Sequence, residues 1–118
     1  MRRLSECDLP TLYGTARMQV WGHEPGGAQQ AWVVLTVGDV ADKARVNLRV
    51  HDACLTSEVL SSLRCDCAAQ LRQYRRLMAE QGGVLVYTPQ EGRGIGIANK
   101  VAAYGLQQEC GLDTVDAN

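Results

Sequence analysis

Residues 67–96 read CAAQLRQYRRLMAEQGGVLVYTPQEGRGIG. Leu71, Tyr74, Leu77 and Met78 fall on one face of a 3.6-residue repeat, with Arg72, Arg75, Arg76 and Glu80 elsewhere. This spacing predicts an amphipathic helix from Cys67 to Gln81. Gly82 and Gly83 end it, and GVLVYTP (83–89) follows as a short apolar strand closed by Pro89. A glycine-spaced turn then leads into a second helix, from about Ile97 to Cys110, with Val101, Tyr104 and Gln108 in one row and Gly111 as its cap.

Upstream the pattern differs. TARMQVWGHE (15–24) and QAWVVLTVGDV (30–40) are Val-containing strands joined by a turn at Pro25 to Gly27. ARVNLRV (44–50) alternates Val46, Leu48 and Val50 against Arg45, Asn47 and Arg49, which predicts a half-buried strand with its apolar face inward. Gly38-Asp39 and Ala41-Asp42 supply the turn before it. Three strands on short connections predict an antiparallel meander. The expected fold class is α/β or α+β: a twisted mixed sheet with an antiparallel N-terminal meander and helices packed on it. Phenylalanine is absent, so the core is expected to be built from Val, Leu, Ile and Ala.

At 118 residues the chain supports one hydrophobic core, not two. A net charge of -1 provides no basic field for nucleic acid. No apolar run approaches the roughly 20 residues of a membrane span. MRRLSECDLP has two arginines but no apolar stretch behind them, so it is not a secretory signal. Five cysteines, two of them at C-x-C spacing, do not form a disulfide framework and point to a cytoplasmic protein with free or metal-bound thiols.

Three of those five lie within CLTSEVLSSLRCDC (54–67), at spacing C-x10-C-x-C. A redox role favours C-x-x-C, which is absent; burial as small apolar residues is the plain alternative. Zinc accepts thiolates, and three protein ligands plus an open position is the arrangement of a catalytic site. Asp66 marks the expected helix start, whose dipole and free N–H groups favour thiolates nearby. His51 is open as a fourth ligand or as a group facing substrate. Cys7 and Cys110 stand apart and read as structural.

In QEGRGIG (90–96) the glycines sit at 92, 94 and 96, between a strand and a helix. This is not the G-x-G-x-x-G dinucleotide fingerprint. A tight structural turn and an anion site are both open, and Arg93 between glycines favours the anion. If Arg49, the cysteines and the EGRG turn converge where strands end, one pocket would hold a metal and an anion. The residues alone thus point to a metal-assisted hydrolase or lyase acting on a phosphorylated small molecule.

RVHDACLTSEVLSSLRCDCAAQL, QEGRGIGIANKVAAYGLQ and DTVDAN together resemble GTP cyclohydrolase II, the enzyme family that opens riboflavin biosynthesis. The resemblance runs nearly without gaps from Arg49 to Asn118; before Arg49 it is one of β-rich pattern only. It implies catalytic Zn2+ on Cys54, Cys65 and Cys67. It also implies GTP contacts from Arg49, Val50, His51, Asp52, Ala53, Gln70, Glu91, Gly92, Arg93 and Thr114. Many relatives carry Glu where Ala53 stands, which leaves only the backbone to serve there. Tyr104 matches a tyrosine that helps polarise the zinc-bound water. The reaction implied converts GTP to 2,5-diamino-6-ribosylamino-4(3H)-pyrimidinone 5′-phosphate, formate and pyrophosphate, with Mg2+ on the phosphates and a homodimer as the assembly. In that family an Asp-x-Arg segment follows DTVDAN and its Arg is the proposed nucleophile toward the α-phosphorus. Residues 1–118 are therefore expected to be a single domain that holds the zinc half of the site and lacks the C-terminal part. The alternatives are a non-catalytic zinc and nucleotide module, or a paralogue acting on another nucleotide.

Overall fold

The computed structural model describes residues 1–23 and 31–111. In chain order they form β1 (Arg2–Thr11), β2 (Gly14–Gly22), β3 (Trp32–Val37), β4 (Leu48–Asp52), α1 (Leu55–Glu58), α2 (Cys67–Gln81), β5 (Gly83–Thr88) and α3 (Ile97–Cys110). One sheet runs β1-β2-β3-β5-β4. Every neighbouring pair is antiparallel except β4 and β5, which are parallel. The expected mixed sheet with helices on it is what forms.

The membership of the meander differs from expectation. Its three strands are β1, β2 and β3, and β1 occupies the polar N-terminal stretch that carries no apolar alternation. The 44–50 strand does not join it. β4 begins at Leu48, and β5 lies between it and β3. β5 is apolar at Val84, Leu85 and Val86, with Leu85 buried and the two valines half-buried on the other face, and suits the interior of a sheet, whereas β4 carries Arg49 and fits an edge. The turn expected at Pro25 to Gly27 lies outside the described residues.

β4 is also turned over relative to the predicted face. Val46, Leu48 and Val50 are exposed, at 38%, 62% and 59% of full accessibility, while His51 is buried. The register pairs Arg49 with Leu85 and His51 with Tyr87, which places both on the face that α2 covers. Gln70 accepts from Arg49 at 2.9 Å on that side, and Glu58 stands 3.6 Å from the His51 ring. Alternation in the sequence reports two faces without saying which one meets a helix.

The core lies between that face and α2. Ala16, Leu35, Met78 and Leu85 form its centre, with Leu9, Met18, Val37, Leu71 and Tyr74 packed around it. The predicted helix face, Leu71, Tyr74, Leu77 and Met78, is the one turned inward. The composition expected for the core is only partly met: no isoleucine contributes, since Ile95 and Ile97 are exposed, and Met78 is fully buried at its centre. On α3 the inward row is Lys100 and Ala103, whereas Val101 and Gln108 are exposed, so the row predicted there is displaced by about one residue.

The two glycines after α2 are required by close packing. Gly82 has φ 75 and its N–H bonds to the Met78 carbonyl, closing the helix. A Cβ on Gly83 (φ 149) would lie 2.9 Å from the Asn47 carbonyl oxygen and 3.1 Å from the Tyr74 hydroxyl. That hydroxyl donates to the Val84 carbonyl at 2.7 Å, tying helix and strand together directly after the turn.

Met78→Ala should destabilise the fold by about 2–4 kcal/mol, the cost of opening a cavity at a fully buried site. Chemical denaturation checks this; a change below about 1 kcal/mol would place Met78 outside the core.

Candidate metal centre

The cysteines meet where β4 ends and α2 begins. Cys54 stands directly before α1, and its N–H donates to Glu58 Oε2 at 2.6 Å across that single helical turn. Ser57 Oγ accepts the Ala68 N–H at 2.9 Å, so α1 caps the first turn of α2. Cys67 is the first residue of α2, and Cys65 precedes it by two. Asp66 makes no side-chain cap; its carboxylate accepts from Gln70 Nε2 at 2.9 Å.

All three Sγ atoms lie within 4.8 Å of one another, and Cys54 Sγ is 3.3 Å from Cys65 Sγ. None of the cysteines is in a disulfide. Thiolates on a tetrahedral zinc, each about 2.3 Å from the metal, stand about 3.8 Å apart, so this donor set fits that ion. Among the described residues no His, Asp or Glu joins the cluster.

Charge is arranged unevenly around it. Burial pushes the Cys54 thiol up, but the Lys100 ammonium and hydrogen bonds from Cys65, the Ser57 backbone and Thr56 outweigh it, bringing Cys54 down to about 7. Burial, then Cys65 and Cys54, push the Cys67 thiol up to about 12. Lys100 Nζ donates to Cys54 Sγ at 3.1 Å and is paired with Glu91. Burial disfavours the Lys100 charge, yet those two partners raise its pKa above the ordinary lysine value.

A cleft of about 310 Å³ opens beside the sulfurs. Cys54, Cys65 and Cys67 line it together with Asp52, Ala53, Gly92, Arg93 and Tyr104. Tyr104 Oη is 3.5 Å from Thr56 Oγ1, and the Arg64 guanidinium lies 4.7 Å over its ring. The other expected nucleotide contacts are elsewhere. Arg49 and Gln70 bond to each other at 2.9 Å and line a separate hollow on α2. Val50 points to the opposite, exposed side of the sheet. Glu91 is spent on Lys100 and on the Leu55 N–H, at 3.0 Å. Thr114 lies outside the described residues.

His51 is buried and does not line the cleft. Arg49 Nη2 approaches its Nδ1 at 3.3 Å, and a guanidinium only donates, so the ring proton belongs on Nε2, 3.6 Å from Glu58 Oε1. That leaves the ring no lone pair for the thiol cluster. Cys7 and Cys110, expected to be structural, are exposed.

In the glycine turn the Gly94, Ile95 and Gly96 N–H groups bond to carbonyls of Glu91 and Gly92, so these donors are consumed by the turn. A Cβ at Gly92 (φ 60) would press on the Lys100 Cβ at 3.0 Å, so glycine there lets the turn close over the lysine. Arg93 also has φ 60, a conformation that costs an L-residue about 1–2 kcal/mol. Its side chain is exposed at the cleft.

Lys100, Glu58, Thr56 and Arg64 escaped the reading of the sequence. One signal for Lys100 was available: a cation in the first turn of a helix opposes the dipole and calls for an anionic partner.

The mixed sheet thus carries, at its parallel strand ends, a cluster of three thiols that could hold a metal ion, beside an arginine-lined cleft. A sequence model described as GTP cyclohydrolase II matches residues 2–118, and the chain belongs to that family. The GTP cyclohydrolase-2 of Hahella chejuensis is 47% identical over 116 residues, 98% of this chain and 55% of that protein. That of Pseudomonas fluorescens is 50% identical over 111 residues, 93% of this chain and 53% of that protein. The Riboflavin biosynthesis protein RibBA of Thermotoga maritima is 44% identical over 118 residues, 100% of this chain and 29% of that protein. The chain thus spans about half the length of the first two relatives and less of the third.

Metal uptake by the metal-free protein should release about one more proton at about pH 6 than at about pH 8. Cys54, at about 7, is a thiol at the lower pH and a thiolate at the higher, while Cys67, at about 12, is protonated at both. Calorimetry in buffers of different ionisation enthalpy counts these protons, and equal counts would contradict the assignment.

Proposed function

We propose that this chain forms the zinc-binding part of a GTP cyclohydrolase II. The reading is carried by one observation: three thiols converge within 4.8 Å beside a cleft that Arg93 and Tyr104 line. The reaction proposed with it converts GTP to 2,5-diamino-6-ribosylamino-4(3H)-pyrimidinone 5′-phosphate, formate and pyrophosphate, and membership of the GTP cyclohydrolase II family supports it. Zinc held by Cys54, Cys65 and Cys67 would supply a Lewis acid that activates water for opening the guanine imidazole ring.

The chain's own residues bind and orient. Arg93, extended from a strained turn, offers a fork of donors to a phosphate, and its backbone strain fits a position kept for its side chain. The Tyr104 hydroxyl would hold a proton close to the reacting ring; its 3.5 Å separation from Thr56 Oγ1 and its share in the cleft lining support that role. Asp52 and the Ala53 backbone border the same space. Asp52 is fixed by the Thr88 hydroxyl at 2.6 Å, and the Ala53 N–H by the Thr88 carbonyl at 2.9 Å. Arg49 and Gln70 occupy a neighbouring hollow, where a long nucleotide could reach them; Gly92 serves by letting its backbone approach. Mg2+ on the phosphates, a homodimeric assembly and a cytoplasmic setting belong to the same proposal. Among the described residues no helix is long and apolar enough to cross a membrane.

Two substitutions separate metal binding from nucleotide binding. Cys67→Ser should remove zinc and abolish formate release from GTP. Arg93→Ala should keep zinc and weaken GTP binding by about 1–3 kcal/mol, the loss of a charge-assisted hydrogen bond. Metal analysis, a formate assay and calorimetry on the intact protein check these outcomes. Full zinc content in Cys67→Ser, or unchanged GTP affinity in a folded Arg93→Ala protein, would contradict them.

A further inference from the structure

Lys100 is buried, at 9% of full accessibility, and stands in the first turn of α3, where the helix dipole opposes a positive charge. Two partners hold it there: the Glu91 carboxylate and, at 3.1 Å, Cys54 Sγ. Glu91 is itself anchored, because its second oxygen accepts the Leu55 N–H at 3.0 Å. Gly92 keeps the turn clear of the lysine stem. A buried cation on a sulfur is an expensive feature to maintain, and one close to an expected metal site is more so, since it repels the ion.

We propose that Lys100 is a positioning residue that acts through Cys54, fixing the sulfur and drawing electron density from it so that three thiolates do not quench the acidity of the bound metal. The inference rests on the zinc reading above and deepens it. Three thiolates carry one more negative charge than a divalent ion neutralises. An N–H donor on one of them lowers the energy of the sulfur lone pair and reduces what that sulfur gives to the metal. Glu91 sets the strength of the effect, since its carboxylate offsets part of the ammonium charge and fixes where the ammonium points. Glu91, expected from the family to touch nucleotide, therefore acts here through Lys100.

Cobalt(II) substituted for zinc in the intact protein reports the sulfur directly, through its sulfur-to-metal charge-transfer band. Lys100→Met removes the donor and keeps the length, so the band should move to lower energy. Glu91→Gln retains an acceptor for the Leu55 N–H and removes the charge that offsets the ammonium, so the band should move to higher energy. Loss of packing alone has no reason to give opposite signs. An unmoved band in cobalt-loaded Lys100→Met, or shifts of one sign in both variants, would overturn the proposal. Should Lys100→Met hold no cobalt, Glu91→Gln decides: a shift to higher energy supports the proposal, and no shift or the reverse overturns it. A wild-type protein that binds cobalt without any sulfur-to-metal band would instead overturn the metal site, and the proposal with it.

Discussion

The parallel pairing of β4 with β5 is the constraint on which the site depends. It brings the carboxyl ends of two strands side by side, with Asp52 opposite Thr88. Two further bonds lock that end: Thr88 Oγ1 to the Asp52 carboxylate at 2.6 Å, and the Ala53 N–H to the Thr88 carbonyl at 2.9 Å. From β4 the chain passes directly into Cys54, and from β5 into the Glu91 turn. Residues far apart in sequence, Cys54 and Lys100, therefore meet within 3.1 Å. An antiparallel arrangement of the same two strands would place these loops at opposite ends of the sheet. Ligand sites outside the carboxyl ends of parallel strands are a general property of α/β folds, and here a single parallel pair suffices.

Much of the framework was legible in the sequence. The α2 stripe, the Gly82-Gly83 stop, β5 and the α3 span follow from helical periodicity and from glycines that no other residue could replace without a clash. β1 was not legible, since its residues are mostly polar and exposed and its strand geometry comes from pairing with β2 rather than from its own pattern. The inverted face of β4 has a related cause. Arg49 and His51 turn inward toward Gln70 and Glu58, which lie on elements formed later in the chain: Gln70 accepts from the Arg49 guanidinium, and Glu58 stands 3.6 Å from His51. Side-chain alternation alone carries no information about such partners.

The site divides along similar lines. Local spacing marked the three cysteines, and family resemblance marked some of the residues that border the cleft with them: Asp52, Ala53, Gly92, Arg93 and Tyr104. The residues that hold those cysteines are charged or polar groups: Lys100 on Cys54 across a long sequence separation, and closer in the chain Glu58 on the Cys54 backbone and Ser57 on the start of α2. Each reads in sequence as an ordinary surface residue of a helix. Burial gives them meaning, because a low-dielectric setting strengthens a satisfied contact and penalises an unsatisfied one.

The central claim is that three thiolates of this chain hold one zinc and leave a coordination position for chemistry. Zinc K-edge X-ray absorption on the intact purified protein tests it most directly. The account predicts three sulfur neighbours at about 2.3 Å and one oxygen or nitrogen neighbour at about 2.0 Å. Four sulfur neighbours would make the site a closed structural one, and a zinc shell with fewer than three sulfurs would show that Cys54, Cys65 and Cys67 do not act together.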